Sequence, residues 1–103
     1  MKKVTDETSL EAAIDGAQSV VLFHATWCPY CREFRPVFED VTSRRGVDAI
    51  EAVIDDDDNP LWEKYGIDTI PTVITFVGGT PVRRLDATRG VGLTAKELTD
   101  HLD

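Results

Sequence analysis

The chain's two cysteines sit two residues apart, as Cys28-Pro29-Tyr30-Cys31 directly behind Trp27. That spacing suits one thiol to attack a disulfide and the other to resolve the product. A cysteine attacks only as its thiolate, and the free N–H groups of a helix N-terminus favour that form. An apolar run precedes the pair and a helical pattern follows it, so the local sequence supplies such a terminus. Pro29 fits the first helical position, where a missing N–H costs nothing. Other chemistries fit less well. Two cysteines and two distant histidines do not make a zinc site at finger spacing. A disulfide closing so short a loop removes little entropy from the unfolded chain, which argues against a purely structural bridge. The run Asp55-Asp56-Asp57-Asp58 lacks the spacing of an EF-hand loop and reads as a solvated strand-to-helix turn.

Size and composition narrow the class. With 103 residues the chain is expected to form one domain, spanning 1–103. A hydrophobic content of 42% suits a folded globule rather than a disordered chain. No stretch approaches the roughly 20 apolar residues of a membrane helix. The segment Met1 to Glu7 turns acidic before any apolar run, so it does not read as a signal peptide. The expectation is a cytoplasmic monomer, where a lone Cys-x-x-Cys is reactive rather than structural. A net charge of −8 argues against nucleic acid as a partner. The acidity has two readings: a surface that keeps a small protein soluble, or adaptation to a salt-rich cytoplasm. No metal, membrane or cofactor is expected.

The elements that must position the cysteines are well punctuated. A short strand is expected around Lys2 to Thr5. Thr8-Ser9-Leu10-Glu11 reads as a capping box, followed by Leu10, Ala13, Ile14 and Ala17 on one side. Ser19 to Ala25 is a nearly continuous apolar run, as in a strand covered on both faces. A helix follows from Pro29 to about Arg45, with Phe34, Val37, Phe38 and Val41 at helical spacing and Pro36 inside it. Arg44-Arg45-Gly46 closes it. Asp48 to Asp55 is a second long strand. Asn59-Pro60 opens a short helix that Gly66 ends. Thr72 to Val77 is a third strand, and Gly78-Gly79 turns it into an antiparallel partner at Pro81 to Leu85. Thr94-Ala95-Lys96-Glu97 caps a last helix striped by Leu98 and Leu102. Right-handed crossovers would place the three long strands in one sheet with helices on both faces. The cysteines then fall at the carboxyl end of a central strand, where open α/β sheets carry their sites.

With these residues in place, the chain resembles thioredoxin over essentially its whole length. The matching pieces are Phe23-His24-Ala25-Thr26-Trp27-Cys28-Pro29-Tyr30-Cys31, Pro36, Asn59-Pro60, Tyr65-Gly66-Ile67, Ile70-Pro71-Thr72, Phe76 and Gly78-Gly79. The resemblance implies the α/β thioredoxin fold, a central mixed sheet of four to five strands with helices on both faces. It implies a cis bond before Pro71, lying against the cysteine pair and freeing the backbone of Ile70 to pair with substrate. It implies that Cys28 is the nucleophile and that a more buried Cys31, of higher pKa, resolves the mixed disulfide. Trp27, Pro29 and Tyr30 would supply one wall of the substrate site. Ile70 and Pro71 would supply the other, completed by Gly90 or Gly92. The expected partners are protein disulfides, with a thioredoxin reductase or another dithiol donor for recharging.

Three departures qualify the resemblance. Leu22 stands where thioredoxins usually carry a buried Asp, and Val53 where its Lys partner falls. Losing both together is coherent, since one alone would strand a buried charge. Pro29-Tyr30 replaces the usual Gly-Pro and gives the glutaredoxin form of the motif. With no acid at Leu22, the base for Cys31 needs another source. His24 shares strand parity with Leu22 and is expected to contact Asp57 and relay protons, or else simply to pack like the aromatic it replaces. Arg32 either adds positive field beside Cys31 or lies on a solvated face. Trp62 and Tyr65 read as core or rim packing, and His101 as exposed. The leading function is a protein disulfide reductase. A glutaredoxin-like activity using a small thiol, and a non-catalytic docking or chaperone module, are the alternatives.

Overall fold

In the computed structural model, which describes residues 1–103, the chain runs β1 (Lys2–Val4), α1 (Glu7–Ala13), β2 (Ser19–His24), α2 (Pro29–Arg45), β3 (Ala49–Val53), α3 (Pro60–Lys64), β4 (Thr72–Val77), β5 (Thr80–Asp86) and α4 (Ala95–Leu102). All five strands form one sheet in the order β1-β3-β2-β4-β5. β1 and β2 run parallel to β3, whereas β4 runs antiparallel to both β2 and β5. The expected parallel crossover into β4 is therefore corrected. α3 has only five residues, about 7.5 Å of helix. That cannot retrace a strand of six residues, which spans about 20 Å. The chain instead turns back at the end of the sheet where it left β3.

The sheet divides two cores. On one face Val21 and Phe23 of β2 pack with Ile50, Ala52, Ile74 and Phe76 under Leu10 and Ile14 from the α1 region and Leu61 of α3. Tyr65 closes this cluster, its ring centroid 5.5 Å from both Phe23 and Phe76. On the other face Val20, Leu22 and Val73 pack under Phe34 and Phe38 of α2 and Leu98 of α4. Every residue of β2 is buried, as its unbroken apolar run requires, because β2 is flanked by β3 and β4 and covered above and below.

Local signals set the helix ends. Gly46 ends α2 in the left-handed region at φ 67°, its N–H turned back on the last turn. Thr94 and Glu97 form a reciprocal capping box at α4. At α1 the cap is Asp6, whose side chain accepts from the Ser9 N–H at 2.8 Å. The box expected at Thr8 is displaced by this stronger acceptor two residues earlier. Asn59 caps α3 by accepting from Leu61 N–H at 3.0 Å, and its amide donates to Thr5 O at 2.9 Å, which ties the helix to the end of β1.

His101 is not exposed. It is buried against β4, with Nε2 2.8 Å from the Thr75 hydroxyl. Burial, and then Arg83, hold its pKa below the usual histidine value, and burial acts in the same direction on His24. An unfolded histidine takes up its proton near 6.5. As pH falls from there toward the native values, the unfolded chain binds more protons and stability drops. His101→Gln should remove part of the fall in Tm between about pH 7 and 5, read by calorimetry. Phe38, fully buried between α2 and the sheet, tests the packing. Phe38→Ala should cost about 3–5 kcal/mol in urea denaturation.

Candidate active site

The strand-to-helix junction after β2 sets the geometry of both thiols. Cys28 is the N-cap of α2, in extended conformation at φ −93° and ψ 115°. Its Sγ accepts from the Cys31 N–H at 3.3 Å. Pro29 follows at the first helical position and gives up no hydrogen bond. The Cys28 thiol points across to β4's approach, 3.8 Å from the Ile70 carbonyl oxygen. Ile70 and Pro71 are joined by a cis bond. Both cysteines are free thiols. Cys28 is 5% exposed, whereas Cys31 is sealed in, packed with Ala25. Burial, and then the bond shared with Cys28, push the Cys31 thiol well up, while a backbone contact from Ala25 opposes them.

Trp27 stands 53% exposed beside the sulfur, yet it is firmly held. Its indole Nε1 donates to the Asp55 carbonyl at 2.9 Å. The Asp55 carboxylate accepts from Thr26 N–H at 2.8 Å and from the Thr26 hydroxyl at 2.6 Å. Those donors, the hydroxyl foremost, hold the Asp55 carboxyl below the ordinary carboxylate range. Arg32 Nη1 adds a bond to Thr26 O at 3.1 Å, so its head is engaged with the loop that carries Trp27. The aspartate run is solvated as expected, but its first member, Asp55, also anchors the loop that carries Trp27, a role not anticipated from the sequence. The signal available was its place directly after an apolar strand, at the same end of the sheet as the cysteines.

A groove of about 290 Å³ runs past Cys28. Trp27, Pro29 and Tyr30 form one side, and Thr69 and Ile70 the other. Gly90 lies on its rim with Arg89 and Asp68, two charged residues the sequence reading did not single out. Pro71 is buried beneath. The Tyr30 hydroxyl donates to the Gly90 carbonyl at 3.0 Å. Gly92 is buried behind the Tyr30 ring, where an added Cβ would sit 3.1 Å from a ring carbon. Of the two glycines left open by the sequence, Gly90 borders the groove and Gly92 backs Tyr30.

The expected His24–Asp57 contact does not form. Asp57 lies on the exposed turn beyond β3. His24 and Leu22 project onto the α2 face of the sheet, where the parallel register sets Leu22 against Glu51 and His24 against Val53. His24 Nε2 therefore meets Glu51, 3.4 Å from Oε1. Arg35 of α2 completes the group, its Nε and Nη2 donating to Glu51 Oε2 at 3.1 and 2.6 Å. Burial pushes the Glu51 carboxyl up, but Arg35 and then His24 outweigh it, so it stays below the ordinary range. The acid absent at Leu22 thus reappears on its register neighbour. Neither Glu51 nor Arg35 was anticipated, although an acid inside the apolar run of a covered strand was a visible signal.

Comparison with known proteins adds a family to this geometry. The family model described as Thioredoxin matches residues 1–102. A thioredoxin of Mycobacterium bovis is 34% identical over 100 residues, covering 95% of this chain and 86% of that protein. A bifunctional thioredoxin reductase/thioredoxin of Mycobacterium leprae is 32% identical over 100 residues, covering 95% of this chain and 22% of that protein. The solution structure of the oxidised thioredoxin of Plasmodium falciparum superposes with a TM-score of 0.79, across 97% of this chain and 92% of that one, at 24% identity.

The Asp55 clamp generates a test. Asp55→Ala should leave Tm nearly unchanged and lower kcat/KM for disulfide reduction about tenfold, ~1.4 kcal/mol of transition-state stabilisation. Trp27 emission, followed in a Trp62→Phe background, should keep its maximum, because alanine retains the main-chain carbonyl that holds the indole and only the Thr26 bonds are lost.

Proposed function

Because the chain belongs to the thioredoxin family and is a thiol–disulfide oxidoreductase, we propose that it reduces protein disulfides through a cycle in which Cys28 attacks and Cys31 resolves. The Cys28 thiolate attacks one sulfur of the substrate disulfide. The substrate S–S bond breaks, a mixed disulfide forms, and the first substrate thiolate leaves and takes a proton. Cys31 then loses its proton and attacks Cys28 Sγ. The second substrate thiol is released, and a Cys28–Cys31 disulfide is left. Two electrons have passed to the substrate.

One observation carries the assignment: Cys28 borders the groove, while Cys31 is fully enclosed one turn into the helix. Only the former can meet a protein substrate. Trp27, Pro29 and Tyr30 on one side and Ile70 on the other would hold an extended segment, with Pro71 behind and Gly90 on the rim. The Ile70 carbonyl, 3.8 Å from the attacking sulfur, is placed to accept from the segment's backbone N–H. A thioredoxin reductase would recharge the pair. The M. leprae relative, whose name joins that reductase to a thioredoxin, supports this donor. In this reading the protein works as a cytoplasmic monomer. No helix is long and apolar enough to cross a membrane.

Tyr30, locked to Gly90 in the motif's second variable position, keeps a small-thiol donor as the second reading. Insulin reduction coupled to thioredoxin reductase, run beside the same assay with glutathione and its reductase, separates the two. The first coupling should be the faster. Cys28→Ser should abolish turnover, which a docking module would survive, and Cys31→Ser should accumulate the mixed disulfide. The Pro29-Tyr30 dipeptide should set a potential of roughly −200 to −230 mV, and a value at or below about −270 mV contradicts that expectation.

A further inference from the structure

A buried carboxylate and a buried imidazole are costly unless both are paired and hydrogen-bonded. Glu51 and His24 are each only 4% exposed. Arg35 satisfies one oxygen of Glu51. The other oxygen faces His24 Nε2, which is enclosed and makes no hydrogen bond. Packing alone does not call for this, because an aromatic hydrocarbon ring would fill the space without an orphaned nitrogen. The three side chains line a solvent-open cavity of about 520 Å³, and Ala25 forms part of its wall. On its other side Ala25 packs directly against Cys31. Cys31 is fully enclosed, and the groups that act on its thiol are Cys28 and the Ala25 backbone, neither of them an acid or base stronger than a thiol.

We propose that His24 is the proton acceptor for Cys31, reached through water in this cavity, with Glu51 and Arg35 as its positioning residues. The proposal rests on the dithiol cycle described above and deepens it. The cavity opens to solvent, is large enough to hold water, and presents the polar groups of His24, Glu51, Arg35, Arg32 and Lys3 as partners for it. In the resolving step the Cys31 S–H bond breaks and its proton passes through water to the imidazole. The Cys31 thiolate forms the new S–S bond with Cys28, the mixed disulfide breaks, and the departing substrate thiolate takes a proton from solvent. His24 then returns its own to water.

The charges around His24 suit this role. Burial chiefly holds the imidazole below the usual histidine value, so it is neutral at pH 7 and free to accept a proton. Glu51 of β3 opposes burial and stabilises the imidazolium once it forms, Arg35 of α2 works against the proton, and Asp55 beyond β3 favours it. Lys3 of β1 and Arg32 of α2 complete the cavity's charged lining.

Mixing reduced protein with 5,5′-dithiobis(2-nitrobenzoate) separates the steps, since Cys28 attack releases one coloured thiolate and Cys31 resolution releases the second. The wild-type second phase should rise with pH through a single titration below about 6.5 and then level off. His24→Gln and His24→Phe should slow the second phase by about tenfold or more at pH 7. In both it should climb in proportion to hydroxide, and the first phase should be unchanged. Glu51→Gln should move the titration to lower pH. A second phase in either His24 variant that keeps wild-type speed and profile overturns the proposal. If those variants do not fold, the wild-type profile decides: proportionality to hydroxide from about pH 5 to 9 overturns it, and a plateau supports it. A wild type that releases only one equivalent overturns the dithiol cycle, and the relay with it.

Discussion

The redox end of the molecule depends on the capping bond between Cys28 Sγ and the Cys31 N–H. One atom closes the first turn of α2 and presents itself to the groove. The rest of the fold keeps that atom in place. β2 ends at His24 with every residue buried, so the chain leaves the sheet at a fixed height. Phe34 and Phe38 pin α2 against the sheet, so the helix cannot slide along its axis. Asp55 ties the intervening loop back to the end of β3. The two thiols thus differ in exposure although only two residues separate them, and that asymmetry is what divides attack from resolution.

The second constraint is electrostatic. A core formed by six buried apolar side chains on the α2 face also admits Glu51, because Arg35 reaches it from α2. Arg35 is half-buried, so the guanidinium is shared between the carboxylate and water. Removing either partner would leave the other's charge poorly compensated. The face that buries the helix is therefore also the face that holds the Glu51–Arg35 ion pair and His24.

Much of this was legible in the sequence because the signals were local. Pro29, Gly46, Asn59 and the Thr94–Glu97 box mark helix ends through bonds within a few residues, and α2 and β4 lie where their patterns place them. The thioredoxin resemblance supplied the fold and the bond before Pro71. What escaped depended on partners distant in the chain. Asp6 and Thr8 are both capping types two residues apart, and only the folded turn selects between them. His101 looks exposed near the end of a short helix until Thr75 of β4 is brought beneath it. Glu51, His24 and Arg35 come from three elements, and their meeting follows from a parallel register that periodicity alone does not fix. Parity did place His24 on the correct face. The error lay in choosing its partner beyond the strand's end rather than two residues within it.

Gly92 carries a consequence for how such chains diversify. Its backbone stands at φ 87°, and the space a Cβ would need is taken by the Tyr30 ring. The position is restricted twice, once by its own dihedral and once by a residue in the redox motif. A small side chain at position 30 lifts the steric restriction and leaves the dihedral one, which Asn or Asp meets more readily than other residues. Substitution at 92 is therefore conditional on 30, and among related sequences the two positions should vary together although sixty-one residues of chain separate them.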